Sequence, residues 1–355
     1  MDSDALAVVP HRRLIIGLGV FAAVSAIAGG IGLVAWRAGN QFLPLELIQY
    51  TPFTSFLIPG LLLAIVIGGA SAVCATFAWR RSRAAIDATI FAGGALTVWI
   101  VAEVAMLRGF HWLHALYGIL GVALLGLGVR AASRSGELRH RWVVTVTLAE
   151  TVGFLFPMCA GVISAKAGLG HAASAAVVVA AGLVEGLALG TGQARAFPLP
   201  VRRARYALLT ALGAVTVWAC IMSVALMAAS KMVPVIVVVV AAGLAGVIGL
   251  TAIGAAQWVE LRHHTSSGRR WIAWTAGAWA IALPWSFAPA PFVDESTPLV
   301  SHLALWSSAG LIMAYVMALI TWQGARRLPG GRGIPRRARL DRARSADNQD
   351  QRALV

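Results

Sequence analysis

The chain has 355 residues, of which 59% are apolar and only 12% are charged, and its mean hydropathy is +0.79. Soluble domains carry about 25% charged residues, so this composition excludes an ordinary soluble protein. The net charge of +15 would suggest a nucleic-acid partner in a soluble protein, but we predict no nucleic-acid binding for so apolar a chain.

Long apolar runs recur along the whole chain and predict membrane-spanning helices. A helix of about 20 apolar residues crosses a hydrocarbon core of about 30 Å, whereas barrel strands would alternate over about 10 residues. We therefore predict an all-α, polytopic membrane protein with about ten spans. The predicted spans are 14–36, 56–79, 85–106, 111–129, 142–165, 171–193, 206–229, 233–258, 271–290 and 300–322.

The basic residues predict the orientation of these spans. If the spans alternate sides, all but four of the 29 basic residues lie on one face, the exceptions being Arg37, Arg108, Lys166 and Lys231. Basic loops remain on the cytoplasmic side, so both termini are predicted to be cytoplasmic. Arginine far outnumbers lysine and Ala, Gly and Val are abundant, which is typical of a high-GC bacterial genome and predicts a bacterial plasma membrane.

The first part of the chain is predicted to be a short cytoplasmic arm, 1–13, followed by a four-span module, 14–129. This module carries proline- and tryptophan-containing motifs, which are Thr51-Pro52-Phe53, Leu57-Ile58-Pro59-Gly60, Trp99-Ile100 and Trp112-Leu113-His114 with Tyr117. On these motifs, about residues 14–130 resemble a family of uncharacterised four-span bacterial membrane proteins of actinobacterial type. The resemblance implies a membrane module and no particular activity.

A basic cytoplasmic connector, 130–141, leads into a six-span module, 142–323, built from a unit that recurs three times. Each unit opens on an aromatic residue preceded by arginine and closes on a glutamine 51, 51 or 52 residues later (193 − 142, 257 − 206 and 323 − 271). The landmarks are Trp142 and Gln193, Tyr206 and Gln257, and Trp271 and Gln323. A fixed period indicates a repeated supersecondary unit, so we predict three parallel two-helix hairpins, 142–193, 206–257 and 271–323.

A second resemblance covers this module. The run Gly254-Ala-Ala-Gln257-Trp258 and the pair Arg270-Trp271 are similar to a Gly-x-x-Gln-Trp…Arg-Trp pattern in another group of uncharacterised bacterial membrane proteins. The resemblance covers about residues 141–325 and implies no activity either.

Residues 324–355 form a basic tail with nine arginines and three aspartates and no apolar periodicity. Such a segment is predicted to be disordered and to contact anionic lipid headgroups at the inner surface. An equally good interpretation is that the tail only fixes the topology.

Glu150 and Glu185 are the candidate proton or cation site. Each lies eight residues from a repeat landmark, so both are expected about 12 Å inside the cytoplasmic boundary on adjacent antiparallel helices. Two facing carboxyl groups would share a proton or bind a cation. The alternative, which we favour at this point, is that each is simply protonated or hydrogen-bonded between helices.

Structural roles are predicted for the other prominent residues. Glycines at four-residue spacing indicate close helix packing, and boundary tryptophans are expected to anchor the helices in the interface. The three glutamines are expected to brace one another or the following loop, a role that we favour over the alternative of a polar gate. These residues are Gly182, Gly186 and Gly190 for packing, Gln193, Gln257 and Gln323 for bracing, and Trp112, Trp142, Trp258 and Trp271 for anchoring. Histidines near the external boundary, His111, His114, His171 and His302, are expected to be interfacial polar residues, so we predict no metal and no cofactor.

The sequence leaves two functions open. Because the nucleophile-elbow, phosphate-loop and His-Glu-x-x-His motifs are missing, we predict that the protein is not an enzyme. The favoured prediction is a scaffold, assembly factor or envelope component with a protein partner, and the alternative is a small-solute or proton-coupled transporter that uses Glu150 and Glu185. Dry, tightly packed hairpins would favour the scaffold, and a cavity lined by those glutamates would favour transport.

Overall fold

A computed structural model describes residues 11–82, 84–230, 232–294 and 296–328. These residues form helices joined by short turns, which confirms the all-α prediction. Most of the predicted arm, most of the basic tail and Lys231 lie outside the described residues.

The described residues contain ten helices. Numbered in chain order, they are α1 (Arg12–Ala35), α2 (Leu57–Trp79), α3 (Ala85–Leu107), α4 (Trp112–Ser135), α5 (Leu138–Lys166), α6 (His171–Ala196), α7 (Arg203–Ala229), α8 (Val235–Leu261), α9 (Arg269–Ser286) and α10 (Leu299–Ala325). A π-helical segment, Leu63–Gly68, interrupts α2, and short 3₁₀ turns lie at Leu45–Ile48 and Ala290–Phe292.

Nine of these helices are long and apolar enough to cross a bilayer, so the chain is a multi-pass membrane protein. The remaining helix, α9, has 18 residues and lies between α8 and α10, packed against both. The observed helices coincide closely with the ten predicted spans. The larger differences include those at α4, which continues to Ser135 and not only to residue 129, and at α9, which ends at Ser286 and not at residue 290.

Helices α1 to α4 form a four-helix unit. Helix α1 packs against α2, α2 against α3, and α3 against α4. Where α1 crosses α2, a methyl group on Gly30 would lie only 2.5 Å from the carbonyl oxygen of Gly60. Small residues therefore allow the two backbones to meet, which is how helices commonly associate in lipid.

Helices α5 to α10 form a closed ring of six. Each helix packs against the next one in the chain, and α10 packs back against α5. The sequence supplies three consecutive hairpins for this ring, α5–α6, α7–α8 and α9–α10. The contact between α10 and α5 closes it, and no local pattern in the sequence indicates that contact.

The four-helix unit and the ring adjoin through α3, which packs against α10. At one end of α3, Asp87 pairs with Arg139 and lies 3.5 Å from Nε2 of His140, both at the start of α5. At the other end, Arg108 lies 3.9 Å from the carboxylate of Asp294 and donates to the hydroxyl of Ser296. Ion pairs at both ends of α3 thus connect the two parts.

Two sequence interpretations change in the structure. Trp142 and Trp271 are fully buried inside the ring, so the prediction that they anchor the helices in the lipid interface is wrong. The predicted connector 130–141 is mostly helical, because α4 continues to Ser135 and α5 begins at Leu138. Gly136 ends α4 in the left-handed conformation, with φ of 67°, which glycine adopts without steric cost.

Candidate functional site

The ring encloses a cavity of about 400 Å³, and all six helices contribute to its lining. Glu150 of α5 and Glu185 of α6 lie in the wall, together with the indoles of Trp218 on α7, Trp279 on α9 and Trp306 on α10. The remaining lining is mainly aliphatic. The volume lies at the lower end of the range that is usual for small-molecule sites.

One end of the ring is closed by a layer of buried aromatic and amide side chains. Gln193 and Gln257 lie side by side, with Nε2 of Gln257 donating to Oε1 of Gln193 at 2.8 Å. The aromatic residue that opens each following hairpin donates to the preceding glutamine: Tyr206 Oη to Gln193 at 3.2 Å, and Trp271 Nε1 to Gln257 at 2.6 Å. These bonds join neighbouring hairpins through buried side chains.

The third glutamine, Gln323, does not follow this scheme. By the same logic Trp142 should donate to Gln323, but its Nε1 donates instead to Oγ1 of Thr321 at 3.2 Å. Gln323 is only half-buried, and its side chain makes no hydrogen bond with the described residues. The structure thus brings five of the six landmarks into one buried layer and leaves the side chain of Gln323 at its margin.

The opposite end of the ring is open. The cavity lining extends to Ala165, Phe287 and His302, at or next to the ends of their helices. The side chain of Phe287 is 61% exposed, so the cavity is accessible from outside the six-helix ring at this end. The cavity therefore reaches the end of the ring that lies opposite the aromatic and amide layer.

The two predicted glutamates lie together near the closed end. Glu150 is fully buried and Glu185 is 6% exposed, and their carboxyl groups are within hydrogen-bonding reach of each other. As carboxylates neither can donate, and both oxygens of Glu150 lack a hydrogen-bond partner among the described residues. A single proton between the two groups would supply the missing donor.

Small residues on α5 and α6 explain how the pair is brought together. A methyl group on Gly153 would lie 3.0 Å from Cα of Glu185, so α5 and α6 cross closely one turn from Glu150. On the other face of α6, Gly182 leaves space for the indole of Trp218, whose Nε1 donates to the carboxyl group of Glu185. The backbone packing thus fixes the position of Glu185 between α5 and α7.

The predicted glycine ridge packs against α7. A methyl group on Gly186 would lie 2.5 Å from Cα of Ala211, and one on Gly190 would lie 2.7 Å from Cα of Ala207. This is the close helix approach that the glycine spacing predicted.

The arrangement can hold one positive charge. A carboxylate in the centre of a membrane helix costs about 2.5–3.5 kcal/mol on insertion scales, and two adjacent carboxylates also repel each other. A proton or a cation between Glu150 and Glu185 removes that repulsion. No lysine or arginine is among the described residues that line the cavity, so the positive charge has to be a bound proton or a bound cation.

Sequence reasoning missed the indoles of the cavity. Nε1 of Trp279, Nε1 of Trp306 and Nδ1 of His302 are buried without a hydrogen-bond partner among the described residues. The sequence does contain one indication that Trp279 belongs to the cavity, because Trp279 follows Trp271 by the same eight residues that separate Glu150 from Trp142. A tryptophan in an apolar span is otherwise indistinguishable from a packing residue.

His111 and His114 lie on the four-helix unit, away from the cavity. His111 and His114 form a capping box at the start of α4, where Nδ1 of His114 accepts from the backbone N–H of His111 at 2.9 Å. Across the described ranges, no three histidine, cysteine or acidic side chains lie close enough to hold a metal ion.

No family model matches the chain, and neither a curated protein nor a solved structure matches it. The two resemblances stated from the sequence motifs therefore stay predictions.

Proposed function

We propose that this multi-pass membrane protein is a transporter that moves a small solute across the membrane through the six-helix ring and couples the movement to protons. The observation that carries the proposal is the cavity inside the ring, whose wall includes two buried carboxyl groups. Ionisable groups inside a membrane are commonly found on substrate paths and proton relays, because their insertion is otherwise unfavourable.

The carboxyl pair is the coupling group in this proposal. In one state a proton is shared between Glu150 and Glu185, and in the other that proton has left and the positive charge of a solute takes its place. The hydrogen-bonded layer of Gln193, Gln257 and Trp271 is the closed gate. Opening it requires the hairpins to shift against one another, and three repeated hairpins are suited to such rocking.

The sidedness follows from the basic residues. The arginines at the starts of α7 and α9, which are Arg202, Arg203 and Arg269, lie at the closed end of the ring. By the charge rule the closed end faces the cytoplasm and the mouth faces outward. This assignment agrees with the predicted cytoplasmic termini.

The scaffold prediction receives less support. It anticipated dry and tightly packed hairpins, whereas the ring contains a cavity whose wall includes both glutamates. Binding of a protein partner and of anionic lipid by the basic tail stay predictions, as does the absence of enzymatic activity.

The test is a measurement of solute-driven proton movement in proteoliposomes. The protein is reconstituted with a trapped pH-sensitive dye, and chemically varied small solutes are added to the outside. We expect at least one solute to change the internal pH in wild type and not in Glu150→Gln or Glu185→Gln.

Glu103→Gln is the matched control for this measurement. Glu103 lies on α3, outside the ring, and lines a separate apolar cavity between the four-helix unit and the ring. It should retain wild-type flux. If no solute drives protons, or if Glu150→Gln behaves as wild type does, the transport proposal is wrong.

A further inference from the structure

The cavity also indicates a class of solute. We propose that it binds a small organic monocation, a protonated primary or secondary amine carried on an apolar body about the size of one aromatic ring. This inference rests on the proposed function, since it names the solute of the same site.

The inner end of the cavity selects for positive charge. Glu150 presents two buried oxygens that lack a donor, and Glu185 lies beside it with one oxygen already accepting from Trp218. An ammonium group has N–H donors for the free oxygens and also carries the charge that the pair lacks. A quaternary ammonium would supply the charge without the donors, so a protonated amine fits better.

The walls select for an apolar and aromatic body. The indoles of Trp218, Trp279 and Trp306 and the ring of Phe154 line the space above the carboxyl groups. Aromatic faces attract cations, and the attraction reaches about 2 kcal/mol where water is excluded. The lining contains no lysine or arginine among the described residues, so an anionic solute would meet carboxyl groups without a compensating charge.

The cavity also has a second polar feature, independent of the acidic pair. Trp279 is 6% exposed, and its Nε1–H has no acceptor among the described residues although the ring lies in the cavity wall. A buried donor without an acceptor is unfavourable in an empty apolar wall. Trp279 thus offers a ring face to the apolar body of the ligand, and its N–H is free to donate where that body carries an acceptor atom.

The exchange balances in charge. Entry of one monocation displaces one shared proton from Glu150 and Glu185, and no bond other than hydrogen bonds is made or broken. Protons and amine therefore compete for one site, and binding of the amine must strengthen as the proton concentration falls while the amine itself stays protonated.

The experiment is equilibrium binding of three probes of nearly equal size to the purified full-length protein in lipid nanodiscs. Radiolabelled 2-phenylethylamine is the cation, and 2-phenylethanol and 3-phenylpropionate are the neutral and anionic competitors. We expect saturable binding of the amine, with competition at least roughly tenfold weaker for the alcohol and for the carboxylate. Binding should strengthen from about pH 6 to about pH 8, where an alkyl amine is still protonated.

Two variants and one control complete the design. Glu150→Gln and Glu185→Gln keep the shape of the side chains and should weaken amine binding by roughly tenfold or more. Glu103→Gln should leave it unchanged. Elution as a single species in gel filtration, with a wild-type unfolding temperature, shows for each variant that lost binding is not lost folding.

The outcomes separate the solute class from the transport function. Absence of saturable amine binding, equal binding of the alcohol, or unchanged binding in Glu150→Gln overturns the amine assignment. If the alcohol or the carboxylate instead drives protons in proteoliposomes, the solute class is wrong and proton-coupled transport stands. If the amine binds through the glutamates but drives no proton movement, the solute class stands and transport is wrong.

Discussion

The four-helix unit and the six-helix ring are both apolar, yet they differ in the polar groups that they bury. In the described part of the four-helix unit, the buried polar side chains are Ser71 and Thr89. The described part of the ring buries many more, among them Glu150, Glu185, Gln193, Thr210, Gln257, Thr275 and Thr321. Since polar groups in a membrane are unfavourable unless they are used or paired, the contrast supports the proposal that the ring is the functional part.

The packing of the two parts does not explain this contrast. Both use glycine where helices cross, with Gly30 against Gly60 in the four-helix unit and Gly186 against Ala211 in the ring. The difference is in what the helices enclose. Six helices in a closed ring surround a cavity, and polar side chains inside it avoid lipid.

The largest expected effect tests whether close packing holds the ring together. In Gly186→Ala the new methyl group would lie 2.5 Å from Cα of Ala211, so α6 and α7 must separate. Overpacking of this kind costs about 3 kcal/mol at the upper end of its usual range. The free energy of unfolding in mild detergent should fall accordingly.

Gly243→Ala is the matched control for Gly186→Ala. Nothing lies within 4 Å of its added methyl group, and alanine favours a helix over glycine by about 0.5–1 kcal/mol. It should leave the protein as stable or slightly more stable. Equal behaviour of the two variants would show that the ring does not depend on this crossing.

The next effect concerns the polar layer. Gln257→Leu removes hydrogen bonds to Gln193, Thr210 and Trp271. At about 0.6 kcal/mol for each hydrogen bond in a membrane protein, the loss of stability should be about 2 kcal/mol. Thermal unfolding of the purified variant measures it.

Gln323→Leu provides the comparison for the polar layer. Its half-buried side chain makes no hydrogen bond with the described residues, so the change should stay within about 0.5 kcal/mol. A large loss in this variant would mean that the third hairpin depends on its glutamine as the others do.

A smaller effect is expected where the four-helix unit contacts the ring. Asp87→Asn breaks the partly buried pair with Arg139, which connects α3 to α5 and contributes about 1 kcal/mol. We expect the four-helix unit to become more accessible to protease while the ring keeps its amine binding. Loss of amine binding in this variant would show that the ring depends on the four-helix unit.

The smallest expected effect is a pH dependence of stability that comes from Asp294, in the loop between α9 and α10. Hydrogen bonds from Ser296 and Thr297, with Arg108 nearby, hold the pKa of the Asp294 carboxyl below its usual value. A lowered pKa stabilises the folded state above the ordinary aspartate pKa of about 3.9, and this contribution is lost as the pH falls through the folded value. The unfolding temperatures of wild type and Asp294→Asn should therefore differ slightly near neutral pH and converge in acid, and a constant difference would contradict this role.

The sequence by itself determined the helices. A continuous apolar run of about 20 residues has few alternatives in a bilayer, because its backbone groups must bond within the helix. The ten predicted spans therefore match the observed helices closely. The spacing of Trp142, Tyr206 and Trp271 from their glutamines likewise indicated hairpins of equal length before any contact was known.

Only the tertiary structure decided which sides of those helices meet. Lipid is as apolar as leucine, so hydropathy cannot separate a side chain that faces lipid from one that faces another helix. For that reason Trp142 and Trp271 were wrongly assigned to the interface, and Trp218, Trp279 and Trp306 were not recognised as a cavity wall. The closure of α10 on α5 is a contact between distant parts of the chain, and it alone turns three hairpins into a pocket around Glu150 and Glu185.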